Sequence, residues 1–278
     1  MNLLPYSAEQ LPKEEEEKAL TAINESELLR KACMQTLKHM LKVQGFKPFP
    51  DEEFLLAHLR GSEFDCDRAA YSLLTFNELR RNSPAYFETC VLDALTKSHL
   101  NPLRISPFRL KDNSLLLISR YFEIDVAELP LPEKVYLDMI SCFDLIRNPI
   151  TQICGITFLM DAGDFTLSKI PQYTDYKWIT TGSCVILSSS VRIKKIHVVN
   201  VSEAFISLYN ALIPLMPKKV VDVLQFHSDS TEFKDLHEFI PPEILPEKYE
   251  GHLKECELIR SNDNILQKED FFRKYYPL

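Results

Sequence analysis

Two carboxylates, Asp161 and Asp164, stand directly behind the apolar run ITFLM (156–160), in a segment reading DAGDFT. An acid at the carboxyl end of a strand is where α/β proteins commonly place chemistry. Aspartyl-phosphate hydrolases set two such acids two residues apart, so that both face one Mg²⁺. Here the spacing is three, which sends the second carboxylate elsewhere, and acids at a strand end also serve simply to stabilise a turn. The seven histidines (39, 58, 99, 197, 227, 237, 252) show no H-E-x-x-H or comparable metal spacing. His197 lies within an apolar run and reads as a hydrogen-bonded core residue. Gly182-Ser183-Cys184 lacks the second glycine of a nucleophile elbow. Neither G-x-G-x-x-G nor G-x-x-x-x-G-K-[ST] occurs, so dinucleotide and P-loop nucleotide binding lose their usual supports. These residues favour no catalytic group, no metal and no cofactor, and a metal-dependent phosphohydrolase using Asp161 and Asp164 is the least favoured reading.

The residues that stand out are apolar. The segment SEAFISLYNALIPLM (202–216) carries Phe205, Leu208, Tyr209 and Leu212 on one helical stripe, with Ile206 and Ile213 off it. A helix that is apolar beyond one stripe is either deeply buried or covers an apolar void. Two short basic clusters flank it: Arg192, Lys194 and Lys195 before, Lys218 and Lys219 after. They read as solvated element ends or as a local anion-binding face able to hold a phosphoinositide headgroup, each charge worth about 1 kcal/mol near an anionic membrane.

The elements that position these residues fall into two groups. KEEEEK (13–18) is a charge run, a solvated leader or else the start of a helix. Leu28, Leu29, Ala32, Cys33, Thr36, Leu37, Met40 and Leu41 then recur at helical spacing; PDEEFLLAHLR (50–60) has an acidic helix start, and Asp65 caps a third helix that ends before Pro84. After Pro102 and Pro107, the runs 114–121, 153–165, 193–200 and 220–227 read as strands. Helix-length connections at about 131–148, 170–185 and 202–216 separate them, which predicts crossovers and a largely parallel sheet. The expected fold class is α/β: a small all-α N-terminal domain followed by an α/β domain.

With 278 residues, 45% of them hydrophobic, the chain can bury a sizeable core. Its net charge of −8 disfavours nucleic acid as a partner. The seven cysteines form no C-x-x-C pair and sit mostly in apolar runs, as expected of reduced thiols in a cytoplasmic protein. The N-terminus lacks the basic and apolar regions of a secretory signal, and no apolar segment approaches the roughly 18 residues of a membrane span. A soluble protein, monomeric in the simplest case, is expected.

Four motifs in order carry a family resemblance. FLLAHLRGSEFDCDRAAYSLL (54–74) resembles the N-terminal helical signature of CRAL-TRIO (Sec14-like) proteins, and FLMDAGDF (158–165) their strand ending in Asp and a Gly-containing turn. IKKIHVVNVSEAFISLYNALIPLMPKKV (193–220) is similar to the family's I-H-x-x-N segment and the helix after it, and LHEFIPPEILPEKYEG (236–251) to its closing stretch. The resemblance covers about 24–255 and lies towards the tocopherol and retinaldehyde carrier branch. It divides the chain into an acidic leader (1–23), an N-terminal helical domain (24–90), a lipid-binding domain with a cavity closed by a gate helix (91–255) and a tail (256–278).

The resemblance implies a lipid-transfer protein that shields one tocopherol-, retinoid- or phospholipid-like ligand and exchanges it during transient peripheral contact with membranes. The implied cavity walls are Ile140, Phe143, Phe158, Met160, Phe165, Val185 and Leu187, with Phe205, Leu208 and Leu212 on the gate at 202–216. The implied phosphoinositide-binding residues are Arg60, Arg192, Lys194 and Lys219. A further basic position of the family is Val223 here, with Lys195 and Lys218 available as substitutes. The family's small hydroxyl residues on the helix before the Asp-ending strand correspond to Asp138 and Cys142; Asp138 must face solvent or pair with a ligand hydroxyl. The alternative is a membrane-docking interaction module whose cavity is filled by side chains.

Overall fold

The computed structural model describes residues 13–47, 49–169, 171, 190–216, 218–227 and 232–275. Among the described residues six strands form one sheet: β1 Leu103–Arg109, β2 Leu115–Ser119, β3 Ile156–Asp161, β4 Ile193–Val199, β5 Leu224–Phe226 and β6 Ile259–Arg260, in the order β5-β4-β3-β2-β1-β6. The four strands β2 to β5 run parallel, as their apolar runs and long connections predict; β1 is antiparallel to both β2 and β6. Strand β5 begins at Leu224 rather than Val220, because Lys218–Val221 closes a turn of helix first. The expected helix at 170–185 lies, apart from residue 171, outside the described residues.

The N-terminal helices are α1 Lys13–Ala22, α2 Glu27–Val43, α3 Glu52–Gly61, α4 Cys66–Asn82, α5 Pro84–Phe87 and α6 Val91–Thr96. The charge run therefore begins a helix. Ser26, Asp51 and Asp65 cap α2, α3 and α4, each side-chain oxygen accepting a backbone N–H three residues on. Between β2 and β3 come α7 Leu131–Leu145 and α8 Pro149–Cys154; after β4 come α9 Glu203–Leu212 and α10 Lys218–Val221; then α11 Lys234–His237 and α12 Ile265–Tyr275. The stretch expected to be a tail, 256–278, contributes β6 and α12, and Phe272 of α12 is buried in the helical core.

Three apolar layers result. Leu37, Leu41, Leu55, Leu73 and Phe76 of the N-terminal helices share one core with Tyr136, Ile140 and Phe143 of α7 and Phe272 of α12. One face of the sheet, through Leu116, Ile118, Leu159 and Val199, is covered by Leu236, Ile240, Ile244, Leu245 and Tyr249 of the C-terminal segment. The other face meets α9 over β3, β4 and β5, and Leu145 over β1 and β2.

Candidate functional site

Strand β3 lies inside the sheet, where both faces are ordinarily sealed, yet its two faces differ. Thr157, Leu159 and Asp161 are buried, whereas Phe158 and Met160, alternating with them on the opposite face, are only partly buried. Register places Leu117 and Ile196 beside Phe158, and Ser119 and Val198 beside Met160. Above this face lies α9. Ser202 caps it, accepting from the Phe205 N–H at 3.2 Å, and donates to the Phe165 carbonyl at 3.1 Å, fixing the start of the helix to the turn after β3. Phe205 and Leu208 point inward and are buried, Tyr209 and Leu212 are partly covered, and Ile206 is 46% exposed. The helix thus presents apolar side chains both to the sheet and to solvent.

Of the ten residues expected to line a cavity, Phe158, Met160, Phe165, Phe205, Leu208 and Leu212 come together in this cluster. Ile140 and Phe143 do not join it. They face the N-terminal helices, Phe143 stacking on Phe54 at a 6.2 Å ring separation and meeting Phe76 and Phe272. Val185 and Leu187 lie outside the described residues. Phe122, which carries no sequence signal beyond its ring, completes the cluster: the Phe122, Phe165 and Phe205 rings meet edge to face at 4.8 to 5.8 Å. Asp138 holds no free carboxylate towards the cluster, since it pairs with Lys134 and accepts from the Asn101 amide at 3.3 Å.

The acids singled out by the sequence have separate surroundings. Asp161 is buried, accepting from Asn200 at 2.8 Å, the Gly163 N–H at 3.0 Å and the Tyr249 hydroxyl at 3.0 Å, with the Lys248 ammonium 2.9 Å away. Burial pushes its pKa up, but these donors and the Lys248 charge outweigh burial and hold it below the ordinary value. Asp161 thereby ties β3 to the C-terminal segment, while Asp164 is exposed. Among the described residues no group of His, Cys, Asp and Glu is arranged to hold a metal. His197 is a core residue, its Nδ1 2.8 Å from Nε2 of His227, whose Nδ1 lies 3.2 Å from Asp235. Burial, aided by His227 and Lys195, lowers the His197 pKa to about 4.

The cations implied as phosphoinositide ligands have different surroundings. Arg60 is 4% exposed; its Nε and Nη2 donate to the Glu25 carboxylate at 2.9 and 2.8 Å and its Nη1 to Gln152 at 2.7 Å. That geometry gives Arg60 a structural task, binding the chain before α2 to α3 and α8. Arg192 donates to the Ile153 carbonyl and lies 3.4 Å from Glu63. Lys194 is exposed beside exposed Lys195 on β4, Lys219 belongs to α10, and Lys218 is exposed. The approach to β4 is clamped by the N-terminal helices: Ser190 contacts His58, and a Cβ at Gly61 would fall 1.9 Å from the Ser190 carbonyl oxygen.

Residues 109–251 match the model of the CRAL/TRIO domain. A human protein named alpha-tocopherol transfer protein-like is 27% identical over 271 residues, covering 93% of this chain and 76% of its own. Human clavesin-2 is 24% identical over 250 residues, covering 85% of this chain and 73% of its own. The crystal structure of Sfh5 superposes with a TM-score of 0.50 at 10% identity, over 88% of this chain and 96% of that one, a likeness of fold alone. The match spans half of the chain, and the chain belongs to the CRAL/TRIO family.

Proposed function

We propose that this CRAL/TRIO protein binds one hydrophobic molecule of tocopherol, retinoid or phospholipid type between its sheet and α9, and exchanges it at membranes with α9 as the moving cover. Family membership and the names of the relatives support a lipid-binding and transfer role. The observation that carries the reading is the half-covered pair Phe158 and Met160 on an interior strand, roofed by a helix that is apolar on more than one side. A guest burying about 400 Å² of apolar surface there gains on the order of 10 kcal/mol before the costs of immobilisation. No bond is made or broken, so the protein acts as a carrier and not as an enzyme. It works in the cytoplasm as a monomer.

Exposed Ile206 and the exposed Lys194, Lys195 and Lys218 support docking on an anionic bilayer, the apolar side chain entering the headgroup boundary and the ammonium groups meeting lipid phosphates. Coupling to phosphoinositides then rests on these lysines and Lys219 rather than on Arg60. A second reading, a docking module with its cavity filled, draws on the close-packed rings of Phe122, Phe165 and Phe205. Transfer of a fluorescent tocopherol analogue between donor and acceptor vesicles separates the two. The carrier reading expects catalytic amounts of protein to accelerate transfer. Vesicle binding without transfer of any of the three lipid classes supports the docking module instead.

A further inference from the structure

Two thiols meet in the helical layer, in a different core from the one under α9. Cys33 lies within α2 and is buried, whereas Cys66 opens α4 and is partly exposed. They stand 33 positions apart in sequence, so no C-x-x-C spacing announces the pair.

Both thiols converge on one carbonyl. The turn between α3 and α4 holds two successive left-handed residues, Glu63 at φ 55° and Phe64 at φ 60°, and the Phe64 side chain is buried in the helical core. The Cys33 thiol donates to the Phe64 carbonyl at 3.4 Å. The Cys66 thiol lies 3.9 Å from the same oxygen and 3.7 Å from the Cys33 carbonyl, and it is hydrogen-bonded to the Cys33 thiol. Sulfurs this close on two separate elements can be bridged with little backbone movement.

We propose that Cys33 and Cys66 are a modification site, forming an intramolecular disulfide that staples α2 to the start of α4 when the protein meets a small-molecule disulfide such as oxidised glutathione. Cys66, the more accessible thiol, gives its proton to water and attacks one sulfur of the oxidant; a mixed disulfide forms and one glutathione thiolate leaves. The Cys33 sulfur, losing its own proton, then attacks the Cys66 sulfur and expels the second glutathione. Two protein thiols are oxidised and one glutathione disulfide is reduced to two glutathione molecules. Burial, the Cys33 thiol and the charges of Asp65 and Asp67 push the Cys66 thiol up to about 12. Thiolate is therefore scarce at neutral pH and the bridge forms slowly, but Cys66 is also a poor leaving group, so the bridge is slow to be reduced. The pair makes a durable staple rather than a fast sensor. The stapled turn is the one that holds the approach to β4, through Glu63 beside Arg192 and Gly61 against Ser190. The bridge thus fixes the clamp between the helical layer and the sheet, whether or not the carrier reading stands.

The test is incubation of the full chain, folded, with oxidised glutathione, followed by alkylation and peptide mapping by mass spectrometry. A peptide pair joined through Cys33 and Cys66, two hydrogens lighter than the separate thiols, is expected, and it should form faster as the pH is raised. The oxidised protein should melt about 5 °C or more higher, an increase erased by strong reductant. Cys33→Ser should leave Cys66 trapped as its glutathione adduct and abolish the increase in melting temperature. Because Cys33 is buried, the wild-type peptide map carries the test even if that variant folds poorly. A wild-type Cys66 that stays a glutathione adduct, bridges that join other cysteines instead, or a Cys33–Cys66 bridge that forms only in denaturant would overturn the proposal.

Discussion

Replacing Glu25 by Gln tests whether Arg60 is a structural anchor or a free cation. The Glu25 carboxylate is 2% exposed and receives two hydrogen bonds from Arg60, whose own side chain is 5% exposed, together with an ion pair from Arg30. The amide of Glu25→Gln would keep the shape and one acceptor oxygen but cancel the charge, leaving a buried guanidinium with that oxygen and Gln152 as neutral acceptors. Breaking a buried pair in this way costs about 3 kcal/mol or more. For a domain of this size that lowers the melting temperature by roughly 6–12 °C. Arg60→Leu should cost a similar amount, moderated because Arg30 still neutralises Glu25 from the solvent side. The double variant should lose clearly less than the sum of the two, with a coupling of about 2 kcal/mol. Thermal and denaturant unfolding of the four proteins measures the cycle. Additive effects, or an Arg60→Leu protein of undiminished stability that has lost phosphoinositide binding, would refute the structural assignment.

Other outcomes follow from the same geometry. Gly61→Ala forces a methyl group onto the Ser190 carbonyl, a backbone atom that cannot swing aside, and should cost about 2–3 kcal/mol in unfolding experiments. Because the folded state holds His197 near pKa 4 against an ordinary value of 6.5, the unfolded chain binds more protons between those values; stability is full above pH 6.5 and falls as the pH drops towards 4, by at most about 1.4 kcal/mol per pH unit from this residue. His197→Phe should flatten that part of a stability–pH curve. Asp161, held below its ordinary pKa, contributes stability above the carboxylate range that is lost as acid protonates it, and Asp161→Asn should remove this acid-dependent loss in the same curves. Ile206→Glu on the exposed side of α9 should leave folding intact but slow vesicle transfer by about tenfold, and replacing Lys194, Lys195 and Lys218 by Gln should weaken binding to anionic vesicles by about 3 kcal/mol, the loss shrinking in high salt.

Particular residues show where the fold was legible in the amino-acid order. LLLI, ITFLM and IHVV, in strands inside the sheet, are predominantly apolar runs, and Asp51 and Asp65 stand where N-caps belong. Strand β1 escapes this pattern. Arg104, Ser106, Pro107 and Arg109 interrupt it, and Pro107 is tolerated because the pairing with β2 shifts register between Ile105 and Arg109, and β6 pairs only with Arg104 and Ile105. In the tail, Phe271 and Phe272 are the available signal that α12 packs on the helical core.

The site was legible to the same degree. Hydrophobic periodicity locates α9 and its stripe, and alternation puts Phe158 and Met160 on one face. Ile140 and Phe143 pass for wall residues because α7 is apolar around most of its surface, so its sequence does not reveal which side meets the helical domain. The partnership of Arg60 with Glu25 spans 35 positions, and that of His58 with Ser190 spans 132. No local pattern encodes pairings of that range, since they arise only once α3 has docked on its neighbours.

The central claim, an apolar guest between the sheet and α9, is tested most directly by native mass spectrometry of freshly purified protein, followed by extraction and identification of whatever is bound. One lipid per chain, retained by the wild type and displaced when Phe158 and Met160 are both enlarged to Trp, is the predicted result. A bare polypeptide mass that persists after incubation with tocopherol, retinoid and phospholipid would contradict it.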